Sequence, residues 1–74
     1  MIDETRKQET DKLRLRIRGV SHVKVAKAMG CSRANTFIHW QRLKKPDEYL
    51  QEGTIKRINR ALDILGIPKT KEGE

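Results

Sequence analysis

Gly30 and Ser32 stand two residues apart, one suited to end a helix and the other to begin one. Glycine enters the left-handed region that closes a helix without the penalty a Cβ brings. Serine accepts a hydrogen bond from the first backbone amides of a new helix. A chain punctuated in this way must reverse at Gly30-Cys31-Ser32 and lay two helices against each other, the arrangement of a helix-turn-helix. Ser21 is the expected cap of the first helix, in which Val25, Ala26 and Met29 form an apolar stripe and Lys24 and Lys27 the wet side. Ala26 lies four residues before Gly30, where a small side chain lets the second helix cross close to the backbone. That second helix is expected over about Arg33 to Leu43, with Ala34, Phe37, Ile38 and Gln41 on one face and Trp40 beside it. Pro46 stops any continuation.

The rest of the chain reads around this pair. Lys12 to Arg18 alternates apolar and basic residues, which would suit a strand with one wet face. Leu13, Ile17 and Val20 also fall at i, i+4 and i+7, one face of a helix. No second segment alternates similarly, and a lone strand is not stable, so a helix ending at Gly19 is expected. Arg14, Arg16 and Arg18 then form a solvated face by default. Residues 1–11 are a charged extension or the start of that helix, and 44–53 a polar loop with a short turn around Tyr49 and Leu50. Thr54 is expected to cap a last helix in which Ile55, Ile58, Ala61, Leu62 and Leu65 recur at helical spacing. Gly66 and Pro68 end it, and 68–74 is expected to be a disordered tail. The sum is an all-α chain, a compact bundle of four to five short helices containing a helix-turn-helix, with 12–67 as the folded domain.

Charge narrows the partner. Seventeen Lys and Arg stand against ten Asp and Glu, a formal net charge of +7. Six of the acids lie at the two ends: Asp3, Glu4, Glu9, Asp11, Glu72 and Glu74. From Lys12 to Lys45 there is none, while Lys12, Arg14, Arg16, Arg18, Lys24, Lys27, Arg33, Arg42, Lys44 and Lys45 accumulate. Such a run repels itself unless an anion neutralises it, and a phosphate backbone does so with release of counterions. Other chemistries find little support. The single cysteine, Cys31, allows no intramolecular disulfide and has no zinc set in reach of His22 and His39, so it reads as a small buried apolar residue. No acid lies in the motif region and no Ser-His pair has a third partner at suggestive spacing, so no enzyme, catalytic residue, metal or cofactor is expected. No apolar run approaches the ~20 residues of a membrane span and no signal-peptide pattern opens the chain, so a cytoplasmic protein without membrane contact is expected.

Gly19-Val20-Ser21-His22-Val23-Lys24-Val25-Ala26-Lys27-Ala28-Met29-Gly30-Cys31-Ser32 resembles the core of the Cro/C1-type (XRE) phage repressor family, with its lambda repressor-like DNA-binding domain. Asn35-Thr36-Phe37-Ile38-His39-Trp40-Gln41-Arg42, followed by Lys44-Lys45-Pro46, is similar to the family's recognition helix and the basic loop after it. The stretch 54–67 resembles its late core helix, so the likeness covers roughly residues 19–67. It departs at Trp40, one residue farther from Gly30 than the family's apolar anchor. Either the turn holds an extra residue, or Phe37 and Ile38 share the anchoring differently.

The resemblance implies a sequence-specific transcriptional regulator of double-stranded DNA, a repressor of phage type, bound as a homodimer to a palindromic operator. The dimer would use the last helix, around Ile64 and Ile67, or form only on DNA. Residues 33–43 would enter the major groove. Arg33 can pair with guanine and Asn35 with adenine, and Thr36 and His39 could reach base edges or a thymine methyl. His22 matches the family's phosphate-contacting position. Ser21 and Ser32 would offer helix N-termini to phosphates, with Lys24, Arg42, Lys44 and Lys45 against the backbone. Trp40 is expected in the core. A helix-turn-helix kept as a protein-interaction module, such as an antirepressor or polymerase adaptor, is the alternative from another class. General RNA binding would need more stacking aromatics than the three present.

Overall fold

Four helices and no strand make up residues 4–68, the part of the chain that the computed structural model describes. They are α1 (Glu4–Arg16), α2 (His22–Met29), α3 (Arg33–Leu43) and α4 (Glu52–Ile64). The expected all-α bundle is therefore observed. Most of the expected tail, 69–74, lies outside the described residues. The helical reading of Lys12 to Arg18 holds, with Leu13 buried and Ile17 and Val20 packed against the core. The helix itself ends at Arg16, and a turn carries the chain through Gly19. Its start at Glu4 takes in most of the charged N-terminal segment.

The core is Leu13, Val25, Trp40, Leu43, Leu50, Ile55, Ile58, Ala61 and Leu62, with Met29, Ala28 and Ile67 packed at its edge. Helix α2 lies against both α3 and α4, and α1 lies against α4. At the end of α2, Gly30 takes φ 70°. Its amide donates to Lys27 O and the Cys31 amide to Ala26 O, so the turn satisfies carbonyls the helix leaves open. Serine caps start α2 and α3 as expected: Ser21 Oγ accepts from the Val23 amide and Ser32 Oγ from the Asn35 amide, each at 3.2 Å.

Three expectations change. Thr54 does not cap α4: the helix begins at Glu52, and Gln51 in the cap position makes no side-chain cap bond. The Glu52 carboxylate in the first turn favours this start, because it complements the positive end of the helix dipole. Leu50, expected in a polar loop, is 1% exposed and enters the core. Third, the alternating arginines are not a uniformly solvated face. Arg14 donates from Nε to Leu43 O at 2.8 Å and from Nη2 to the carbonyls of Lys45 and Glu48. It also lies 5.5 Å from the Tyr49 ring centre. One side chain thus gathers the carbonyls where α3 ends and fixes the loop behind it.

Arg16 is 6% exposed. Its guanidinium donates to Asn59 Oδ1 at 2.9 Å, Asp63 Oδ1 at 2.5 Å and Ile67 O at 2.8 Å, tying the end of α1 to the last turns of α4. A buried cation is tolerated only with such partners. Replacing Arg16 with Ala should lower stability by about 2 kcal/mol, since its bonds to Asn59, Asp63 and Ile67 are lost together. For a domain of this size that corresponds to a fall in Tm of roughly 10 °C by circular dichroism. Leu15→Ala, at a residue 46% exposed, should move Tm by a few degrees at most.

Candidate nucleic-acid interface

Helix α3 turns Thr36, Trp40 and Leu43 inward, at i, i+4 and i+7. Trp40 is the anchor: it is 8% exposed, and its Nε1 donates to Val20 O at 3.3 Å, holding α3 to the segment before α2. With that side fixed, the rotation of about 100° per residue sends Ala34, Ile38 and Gln41 outward. Arg33, Ala34, Asn35, Phe37, Ile38, Gln41 and Arg42 are all exposed. Ala34, Phe37, Ile38 and Gln41 share one face, as the spacing predicts, and it is the outer face. Phe37 is 44% and Ile38 50% exposed. No extra residue sits in the turn, since α3 starts directly after Ser32. The anchoring has instead moved to Thr36 and Trp40.

The expected base-reading residues are therefore divided. Arg33, the first residue of α3, and Asn35 are exposed on it. Thr36 is not available: it is fully buried, and its hydroxyl donates back to Ser32 O at 3.1 Å. A threonine satisfied inside its own helix presents neither methyl nor hydroxyl to a groove. His39 is half-buried, with Nδ1 enclosed and without a hydrogen-bond partner. Burial first, then the charges of Arg42 and Arg57, hold its imidazole below the usual histidine range. It belongs to the flank of α3 beside Arg57 rather than to the outermost face.

The residues expected at phosphates surround this helix. Ser21 and Ser32 are exposed, and each hydroxyl that accepts a cap bond still has its own proton to donate. His22 lies with its ring 5.3 Å from that of Phe37, which places the start of α2 beside the outer face of α3. Lys24, Arg42 and Lys44 are exposed, and Lys45 is exposed but 3.7 Å from the Glu48 carboxylate. The ion pairs among the described residues join Glu9 to Lys12, Asp11 to Arg14, Asp63 to Arg16, Glu48 to Lys45 and Glu52 to Lys56. None of them involves α2 or α3. Among the described residues the cations of the helix pair thus have no carboxylate partner, while Lys12, Arg14 and Arg16 of α1, Lys56 of α4 and Lys45 of the loop do.

Sequence reasoning missed Ala34, Ile38 and Gln41 as outer-face residues. Spacing groups them on one face, and only the seat of Trp40 shows that this face is the outer one. Among the described residues no cluster of side chains could hold a metal ion, and no helix is long and apolar enough to cross a membrane. Compared with known protein families, curated proteins and solved structures, the chain matches none.

The lowered histidine has a stability consequence. The unfolded chain binds the proton more readily than the folded one. Stability from this group is therefore complete above about pH 6.5 and is lost as pH falls through the lower folded value. An NMR titration should place the His39 midpoint below about 6.5. His39→Gln should flatten the acid side of the stability profile below about pH 6.5, and an unchanged slope would refute the assignment.

Proposed function

We propose that the chain is a sequence-specific double-stranded DNA-binding transcriptional regulator of the Cro/C1 type, with α3 in the major groove. The observation that carries this reading is the unpartnered positive charge of α2 and α3 around an exposed outer face of α3. A duplex supplies what that surface lacks: phosphates at the rim and a groove wide enough for a helix at the centre. His22, Lys24, Arg42, Lys44 and Lys45, with the amides at Ser21 and Ser32, are the backbone contacts in this reading. Arg33 and Asn35 lie near base edges. Thr36 has no part in it.

Two copies would occupy a palindrome. Half-sites one turn apart are separated by about 34–36 Å, and the Cα trace of one chain spans 30 Å along its longest axis. Neighbouring copies would therefore come close. Ile64, 65% exposed, and Leu65, 38% exposed, end α4 and are apolar surface available between them.

Binding to a labelled duplex, followed over a salt series, tests the proposal. The slope of log K against log salt should be steep and negative, and changing both Lys44 and Lys45 to Ala should reduce its magnitude by about 1.8 per bound copy if each neutralises one phosphate. Selection from a random duplex pool should enrich a two-fold symmetric site. Salt-sensitive binding with no enriched sequence would overturn the specific-regulator reading.

A further inference from the structure

The outer face of α3 carries an apolar row within a basic surround. Ala34, Phe37 and Ile38 fall at i, i+3 and i+4, and all three are exposed. They cannot serve the core, because Thr36, Trp40 and Leu43 occupy the inward side of the same helix. Gln41 continues the row one turn beyond Phe37 and Ile38 and is exposed as well. The contact between the His22 and Phe37 rings puts this row on the side of α3 where α2 begins, and so where the exposed Ser21 cap lies.

The chemistry of a base pair in the major groove distinguishes what such a row can meet. A thymine presents a C5-methyl group and O4, and an adenine presents N7 and N6–H₂, which a glutamine amide bonds at two points. Guanine and cytosine offer no methyl group, and their polar edges would be desolvated against Ala34, Phe37 and Ile38 without a partner. We infer that the outer face of α3 reads A·T pairs: Ala34, Phe37 and Ile38 lie against thymine methyls and Gln41 pairs with an adenine edge. The inference rests on the proposed DNA-binding function and names the class of sequence it takes. Arg33, at the first position of the helix, is the exposed residue suited to a guanine, and this places any G·C pair at one edge of the half-site. The unpaired cations of α2 and α3 favour a duplex over an apolar protein partner for the same row.

The full chain should be used to select bound duplexes from a random pool, and the enriched half-site should have a core of A·T pairs. That site is then synthesised with uracil in place of each core thymine, which removes the methyl group and leaves the pairing edges intact. Affinity should fall about fourfold for each methyl contacted, the equivalent of about 0.8 kcal/mol per buried carbon. Ile38→Ala, at an exposed position, should keep salt-dependent binding and lose part of the uracil effect. Gln41→Ala should relax the preference for adenine at one position. An enriched core of G·C pairs, or equal affinity for the thymine and uracil duplexes, would overturn the inference while leaving sequence-specific binding intact. Absence of any enriched sequence would overturn both.

Discussion

The seat of Trp40 decides which side of α3 meets solvent. Its indole fills the space beside Leu43 in the core, and its Nε1 is satisfied by the carbonyl of Val20, ahead of α2. A buried indole must find an acceptor, so the rotation of α3 is fixed by a hydrogen bond as well as by packing. Thr36 completes the inward side by bonding its own helix. Had Phe37 and Ile38 formed the anchor instead, the helix would have turned by a large fraction of a turn and shown Thr36 to the outside. The outer surface, and with it any account of recognition, follows from one aromatic residue.

Positive charge in this chain serves two separate purposes. Arg14 and Arg16 are structural: Arg14 donates to the carbonyls of Leu43, Lys45 and Glu48 at and beyond the end of α3, and Arg16 to the carbonyls of Asn59 and Ile67, the latter just past α4. Helix C-termini leave carbonyls unpaired, and a forked guanidinium can satisfy more than one of them. Their companions Asp11 and Asp63 sit on α1 and α4, the helices least involved in the outer face of α3. The cations of α2 and α3 have no such partners. The acid-free run in the sequence is therefore not uniform in meaning. Part of it is consumed inside the fold, and the rest faces solvent.

How much of this was legible in the sequence depended on whether the signal was local. The turn at Gly30, the two serine caps and the limits of α3 rest on short-range backbone chemistry, and all were readable. So was the helical face of Leu13, Ile17 and Val20, once no second strand could be found. The buried roles of Arg14 and Arg16 were not, because their partners lie 29 to 51 residues away along the chain. Leu50 reads as loop because nothing nearby repeats it at helical spacing, and it is buried in a core to which all four helices contribute. Thr54 is a residue type suited to a cap, but the cap position falls on Gln51, three residues earlier.

The exposure of an apolar row on α3 has a physical cause that also bears on function. A helix with apolar residues at i, i+3 and i+4 normally buries them. Ala34, Phe37 and Ile38 follow that rule in sequence, yet the other side of the helix holds a tryptophan and a leucine, which bury more surface. Trp40, the largest residue of α3, takes the interior, and the row opposite it is left exposed at a cost in hydration. Within a domain of so thin a core, apolar surface held outside and ringed by unpaired cations is surface whose hydration cost is recovered only on contact with a partner. A partner that neutralises the cations and covers the row at the same time would stabilise the fold by mass action as it binds.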